Sequence, residues 1–61
     1  MSAEYDIARQ IKCVQRELAL RKRVYPRFVA GEKITQEVAD EEIAVMTAVL
    51  ATLKSLDNLV V

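Results

Sequence analysis

Apolar residues recur through the first half of the chain at Ile7, Ile11, Val14 and Leu18, and Tyr25 falls seven residues further on. Turning about 100° per residue, these positions gather into one narrow stripe, the mark of an amphipathic helix. The pattern predicts a first helix from about Ala3 to Val24, with Ser2 as N-cap and Glu4 and Asp6 in its first turn. In the second half, Ala39, Ile43, Met46, Leu50 and Leu53 form one stripe, and Val38, Val45, Val49 and Leu56 form another. The two stripes lie about 100° apart on the helix. Thr35 is the predicted N-cap of this second helix, with Gln36 and Glu37 in its first turn. It is expected to end near Leu56, with Asp57-Asn58 as the stop and Leu59-Val60-Val61 as a loose apolar tail.

Pro26 and Gly31 are the strong breakers, and they bracket the segment between the two helical patterns. Tyr25 precedes a proline and is biased away from the α region, so a kink is expected there, or a break with Pro26 opening a short helical turn. Gly31 is the natural candidate for a left-handed cap. The expected fold is all-α: a two-helix antiparallel hairpin with a kinked turn at Pro26-Gly31, forming a single helical-hairpin domain over residues 1–61.

Size turns this fold into a question about assembly. The chain has 61 residues, 52% of them apolar. A domain of that length buries only about 60% of its unfolded surface and is marginal alone. Cys13 has no second cysteine to pair with, and the absence of histidine removes the usual metal spacings. Oligomerisation is the remaining route to stability. The two stripes of the second helix together cover a wider arc than one partner helix can bury, and Ala44, Ala48 and Ala51 add a third side without bulk. The stripe Val38, Val45, Val49 and Leu56 is therefore the expected oligomer interface of a homo-oligomeric helical bundle, a dimer or a higher assembly. Met46 fits the core as a gap filler. The longest uncharged run, Ile43 to Leu53, is too short to span a bilayer, and no secretory segment follows Met1, so the expected location is cytoplasmic.

The net charge is zero, but its distribution is uneven. Seven basic residues lie between Arg9 and Arg27 against one acid, Glu17, whereas five acids lie between Glu32 and Glu42 against Lys33. Both biases suit the helix dipoles, and an antiparallel hairpin would pair part of the Arg21 to Arg27 charge across the turn. On the helical wheel, however, Arg9, Lys12, Arg16 and Arg23 share one face opposite the core stripe, with Tyr5 on the same side. Arg27 joins them if the helix persists through Pro26, giving a basic ribbon about 25 Å long. Solvated faces usually mix signs. A ribbon of one sign suits phosphates, a nucleotide or an acidic partner surface.

Other chemistries find little support. With no histidine, no Gly-rich phosphate loop and no nucleophile beside a base, the chain is read as non-catalytic, with no cofactor and no metal site. Asp40-Glu41-Glu42 needs no chemistry to explain it at a helix start. Zero net charge and an acidic start to the second helix argue against DNA as a partner.

The string Glu17-Leu-Ala-Leu-Arg21-Lys-Arg-Val-Tyr25-Pro26-Arg27-Phe28-Val29, then Gly31, Ile34-Thr35-Gln36 and Ala39-Asp40-Glu41-Glu42-Ile43-Ala-Val-Met46, resembles a group of short, uncharacterised helical proteins of proteobacterial phages and prophages. The resemblance covers roughly residues 14 to 53. It implies a phage accessory protein of anti-host or anti-defence type, acting in the host cytoplasm, and it carries no residue roles with it. Two functions follow as expectations. In the first, a small helical oligomer sequesters an anionic ligand such as a signalling nucleotide. Arg9, Lys12, Arg16, Arg23 and Arg27 would contact phosphates, and Tyr5 or Tyr25 would stack on a base. In the second, the chain is a protein-interaction module that binds and inhibits a host protein.

Overall fold

Two helices account for nearly all of the computed structural model, which describes residues 5–60: α1 over Ile7–Ala30 and α2 over Gln36–Val60. Helices of 24 and 25 residues laid end to end would reach about 74 Å at 1.5 Å per residue. The longest dimension is 43 Å, so they lie side by side as a hairpin. The molecule is all-α among the described residues, as the apolar periodicity predicts.

α1 starts later than the apolar pattern suggests. Asp6 is the N-cap, with an extended backbone (φ −67°, ψ 171°) and its carboxylate accepting from the Arg9 N–H at 2.9 Å. A carboxylate on an orphan N–H at the positive end of the helix is among the strongest caps available, and Asp6 takes that role inside the range expected to be helical already. The expected cap Ser2, the start at Ala3 and Glu4 lie outside the described residues, as does Val61.

The end of α1 is also different. The helix runs through Pro26 to Ala30 in place of breaking at Tyr25-Pro26. Pro26 lacks the N–H that would bond the Lys22 carbonyl, but it sits on an exposed side of α1 within the last turns, where water can satisfy that oxygen. Gly31 is not left-handed: its φ is −84°. Glu32 takes the left-handed conformation, at φ 59°. The Glu32 N–H donates to the Val29 carbonyl at 3.0 Å and the Lys33 N–H to the Phe28 carbonyl at 2.9 Å. These two bonds define a Schellman motif in which Gly31 is the C-cap and Glu32 the residue after it. In place of the usual apolar contact, the Lys33 ammonium lies 5.9 Å from the centre of the Phe28 ring, a cation–π arrangement.

Thr35 opens α2 as expected, its hydroxyl accepting from the Val38 N–H at 3.1 Å. Asp57-Asn58 does not stop the helix, which continues to Val60. With no glycine or proline after Gly31, nothing in that stretch opposes the helical backbone.

The core is thin. Leu18 on α1 and Ala39 on α2 are the buried apolar residues among those described, flanked by half-buried Ile7, Ile11, Val14, Tyr25, Ile43, Met46, Leu50 and Leu53. These are the two facing stripes. Small Ala39 lets the helices approach closely near the turn. Arg21 ties the hairpin along one edge, with Nε 3.2 Å from Glu17 on its own helix and Nη1 3.8 Å from Glu42 across on α2.

Candidate functional site

Because α1 persists through Pro26, one helix carries every basic residue of the ribbon. Arg9, Lys12, Arg16, Arg23 and Arg27 occupy the face away from α2, all exposed, over about 27 Å of axis. At its start the backbone is pinned twice. Asp6 caps the helix, and the Gln10 side-chain amide donates to the Tyr5 carbonyl at 2.8 Å. The Arg9 guanidinium then lies 5.7 Å from the centre of the Tyr5 ring, a cation–π arrangement.

Two shallow hollows follow this face. The first, of about 480 Å³, is lined by Tyr5, Arg9, Gln10, Lys12, Cys13 and Arg16. The second, of about 440 Å³, is lined by Arg16, Glu17, Ala19, Leu20 and Arg23. Arg16 borders both. Tyr5, Arg9, Lys12 and Arg16 are thus brought together, Arg23 shares Arg16 with them, and Arg27 continues the row one turn later. Tyr25 is not brought to this face. It is half-buried towards α2, with its ring centre 6.1 Å from that of Phe28. It lines a separate groove of about 380 Å³ beside the turn, with Lys22, Pro26, Val29, Asp40 and Ile43 among its neighbours. That groove is chiefly apolar with one charge of each sign at its edge, which suits a ring or aliphatic group better than a phosphate.

Like charges repel along the ribbon, although Arg27, in the last turn of α1, gains from the helix dipole. Lys12–Arg16 and Arg23–Arg27 are like-charge pairs four residues apart, each unfavourable by about 0.2–0.5 kcal/mol. Among the described residues, Lys12, Arg16, Arg23 and Arg27 form no ion pair. The charge expected to pair across the hairpin does so at Arg21, which takes up both Glu17 and Glu42. This engagement also removes Glu17 as a counter-charge for its neighbour Arg16.

Cys13 and Leu20 also belong to this face, and Gln10 borders its first hollow. Cys13 is exposed and lies about 40° beyond Arg9 on the wheel, and Leu20 stands beside Arg16 and Arg23. The same 3.6-residue periodicity that grouped the cations places them there, but attention to charge alone passes over them. No cluster of His, Cys, Asp or Glu suited to a metal occurs among the described residues, and no described helix is long and apolar enough to cross a membrane. Compared with known proteins, the chain matches no family model, no curated protein and no solved structure.

Proposed function

We propose that this chain is a non-catalytic binding protein that sequesters an anionic ligand, such as a signalling nucleotide, on the basic face of α1. It would do so as a small homo-oligomer, a phage-encoded accessory protein acting in the cytoplasm of its bacterial host. One observation carries the reading: four exposed cations without an ion pair among the described residues are aligned on one helix face, where neighbours four residues apart repel one another. A counter-charge from outside the hairpin resolves that cost. Guanidinium groups pair phosphate oxygens bidentately, and the Tyr5 ring offers a flat surface at the end of the row.

Calorimetric titration of the protein with cyclic di- and trinucleotides tests it, beside an Arg16→Ala/Arg23→Ala double variant. A charge-assisted hydrogen bond contributes about 1.5–3 kcal/mol, so losing two weakens binding by about a hundredfold or more. Binding should also fall as salt rises from low to physiological strength. Absence of heat with every nucleotide refutes sequestration and leaves the alternative of a host-protein inhibitor.

A further inference from the structure

The valine stripe of α2 has no cover within the hairpin. Val38, Val45, Val49 and Leu56 are each between 41% and 54% exposed. The 6.9 kDa chain presents 4978 Å² of surface, whereas a compact monomer of that mass presents about 4000 Å². Its radius of gyration is 14.1 Å, against about 10.5 Å for a compact chain of this length. The excess of about 1000 Å² matches the roughly 800 Å² per partner that a stable interface removes.

The stripe also has an internal symmetry. Val38 and Leu56 stand nine residues either side of Thr47, and Val45 and Val49 stand two either side. Glu42 and Thr52, the polar members of the same seven-residue repeat, stand five either side. A second copy of α2 laid antiparallel, with the two-fold axis at Thr47, therefore sets Val38 against Leu56, Val45 against Val49, and Glu42 against Thr52. Both polar members are already satisfied within the hairpin. Glu42 is paired with Arg21 at 3.8 Å, and the Thr52 hydroxyl donates to the Ala48 carbonyl at 3.1 Å, leaving its methyl for packing. A parallel pair would instead bring Glu42 against Glu42, and like charges at a seam position oppose that register.

We propose that two copies of this chain pair through α2 in antiparallel register about Thr47, closing a four-helix bundle. A consequence follows for the basic face. The valine stripe lies about a quarter-turn from the stripe that faces α1, so the two-fold carries both α1 helices to the same side of the α2 pair. Five residues from the Arg21–Glu42 contact, towards the open end of the hairpin, Arg16 is level with Thr47. The two basic ribbons then run side by side, with an Arg16 from each copy nearest the axis. That a ligand uses both ribbons rests on the function proposed above; the pairing itself does not.

Disulfide trapping distinguishes the registers. In a Cys13→Ala background, chains carrying Val45→Cys or Val49→Cys are oxidised separately and as a refolded mixture. The antiparallel register predicts little cross-linking of either variant alone and a dominant cross-linked dimer in the mixture, because only the 45–49 pairing brings the Cα atoms within disulfide reach. Light scattering of the unsubstituted protein should give twice the chain mass at micromolar concentration. Cross-linking of Val45→Cys with itself overturns the antiparallel register. A monomer, or a mixture that does not cross-link, overturns the interface. A trapped dimer that gives no heat with nucleotides leaves the pairing standing and refutes the sequestration reading alone.

Discussion

Exchanging the roles of Gly31 and Glu32 gives a sharp test of the turn. Gly31 sits at φ −84° and ψ 5°, which any residue can adopt, and a Cβ added there would meet the Arg27 carbonyl oxygen at 3.4 Å and the Phe28 oxygen at 3.9 Å. These are ordinary contacts. Gly31→Ala should therefore stabilise the fold by about 0.4–1 kcal/mol, by restricting the unfolded chain. Glu32 holds φ 59°, a conformation costing a non-glycine residue about 1–2 kcal/mol. Glu32→Gly relieves that cost but adds freedom to the unfolded chain, for a net gain of about 0.5–1 kcal/mol. Glu32 also places a negative charge at the negative end of α1, so Glu32→Gln is the control that isolates the charge effect. Thermal unfolding followed by circular dichroism at one fixed protein concentration reads all three, and about 1 kcal/mol corresponds to roughly 4–8 °C in a domain of this size. Gly31→Ala should raise Tm, and Glu32→Gly should raise it by more than Glu32→Gln does. A Gly31→Ala protein that melts several degrees lower would show that Gly31, not Glu32, holds the left-handed position, and would refute this account of the cap.

Three further outcomes are expected. Pro26→Ala should restore the hydrogen bond to the Lys22 carbonyl and raise stability, by less than the roughly 3 kcal/mol a mid-helix proline costs; an unchanged or lower Tm would indicate that α1 is already interrupted there. Thr35→Ala removes the acceptor for the Val38 N–H and should cost about 1 kcal/mol in denaturant unfolding, whereas Thr35→Ser should recover most of it. Leu18→Ala empties the one buried large side chain of α1 and should cost about 2–5 kcal/mol, enough to abolish cooperative unfolding in so thin a core; a loss below 1 kcal/mol would mean that Leu18 is not central to it.

What could be read in the sequence divides along physical lines. The two helices and their facing stripes follow from periodicity, a property of many residues at once, and no single substitution hides it. Thr35 was legible as a cap because its side chain acts three residues away along the same strand of sequence. The end of α1 was not. Intrinsic preference makes proline and glycine helix breakers there, but the position of Pro26 on an exposed side close to the helix end makes the lost hydrogen bond tolerable. Likewise, the left-handed residue is fixed by where the 6→1 bond from Lys33 to Phe28 closes, and that bond depends on the helix reaching Ala30. For the basic face, the cations were visible on the wheel. The contact of Arg21 with Glu42 was not, since it depends on how α2 packs against α1. Tyr25 illustrates the reverse. Seven residues beyond Leu18, it shares the core stripe, and that periodicity already sets it apart from the ribbon.

The segment from Tyr25 to Thr35 carries the most distinctive run of residue types in the chain, and the fold accounts for much of it. Tyr25, Pro26 and Val29 shape one wall of the groove beside Asp40; Phe28 receives the Lys33 side chain; Gly31 and Glu32 close the Schellman motif; Thr35 starts α2. Each of these has a task in turning the chain, so their distinctiveness alone says little about a ligand. Arg27 is the exception, because it projects onto the ribbon and forms no ion pair among the described residues. The residues lacking a structural task are therefore concentrated outside the turn, on the outer face of α1 from Lys12 to Arg23 and on the valine stripe of α2. A hairpin needing only to fold would place mixed charges on the first surface and polar residues on the second. Substitutions to that effect, Arg16→Glu with Arg23→Glu on α1 and separately Val45→Lys on α2, separate the two. The first should leave α-helical content intact while abolishing anion binding. The second should lower the oligomeric mass, and with it the stability at low concentration, because pairing and folding of so small a core are linked by mass action.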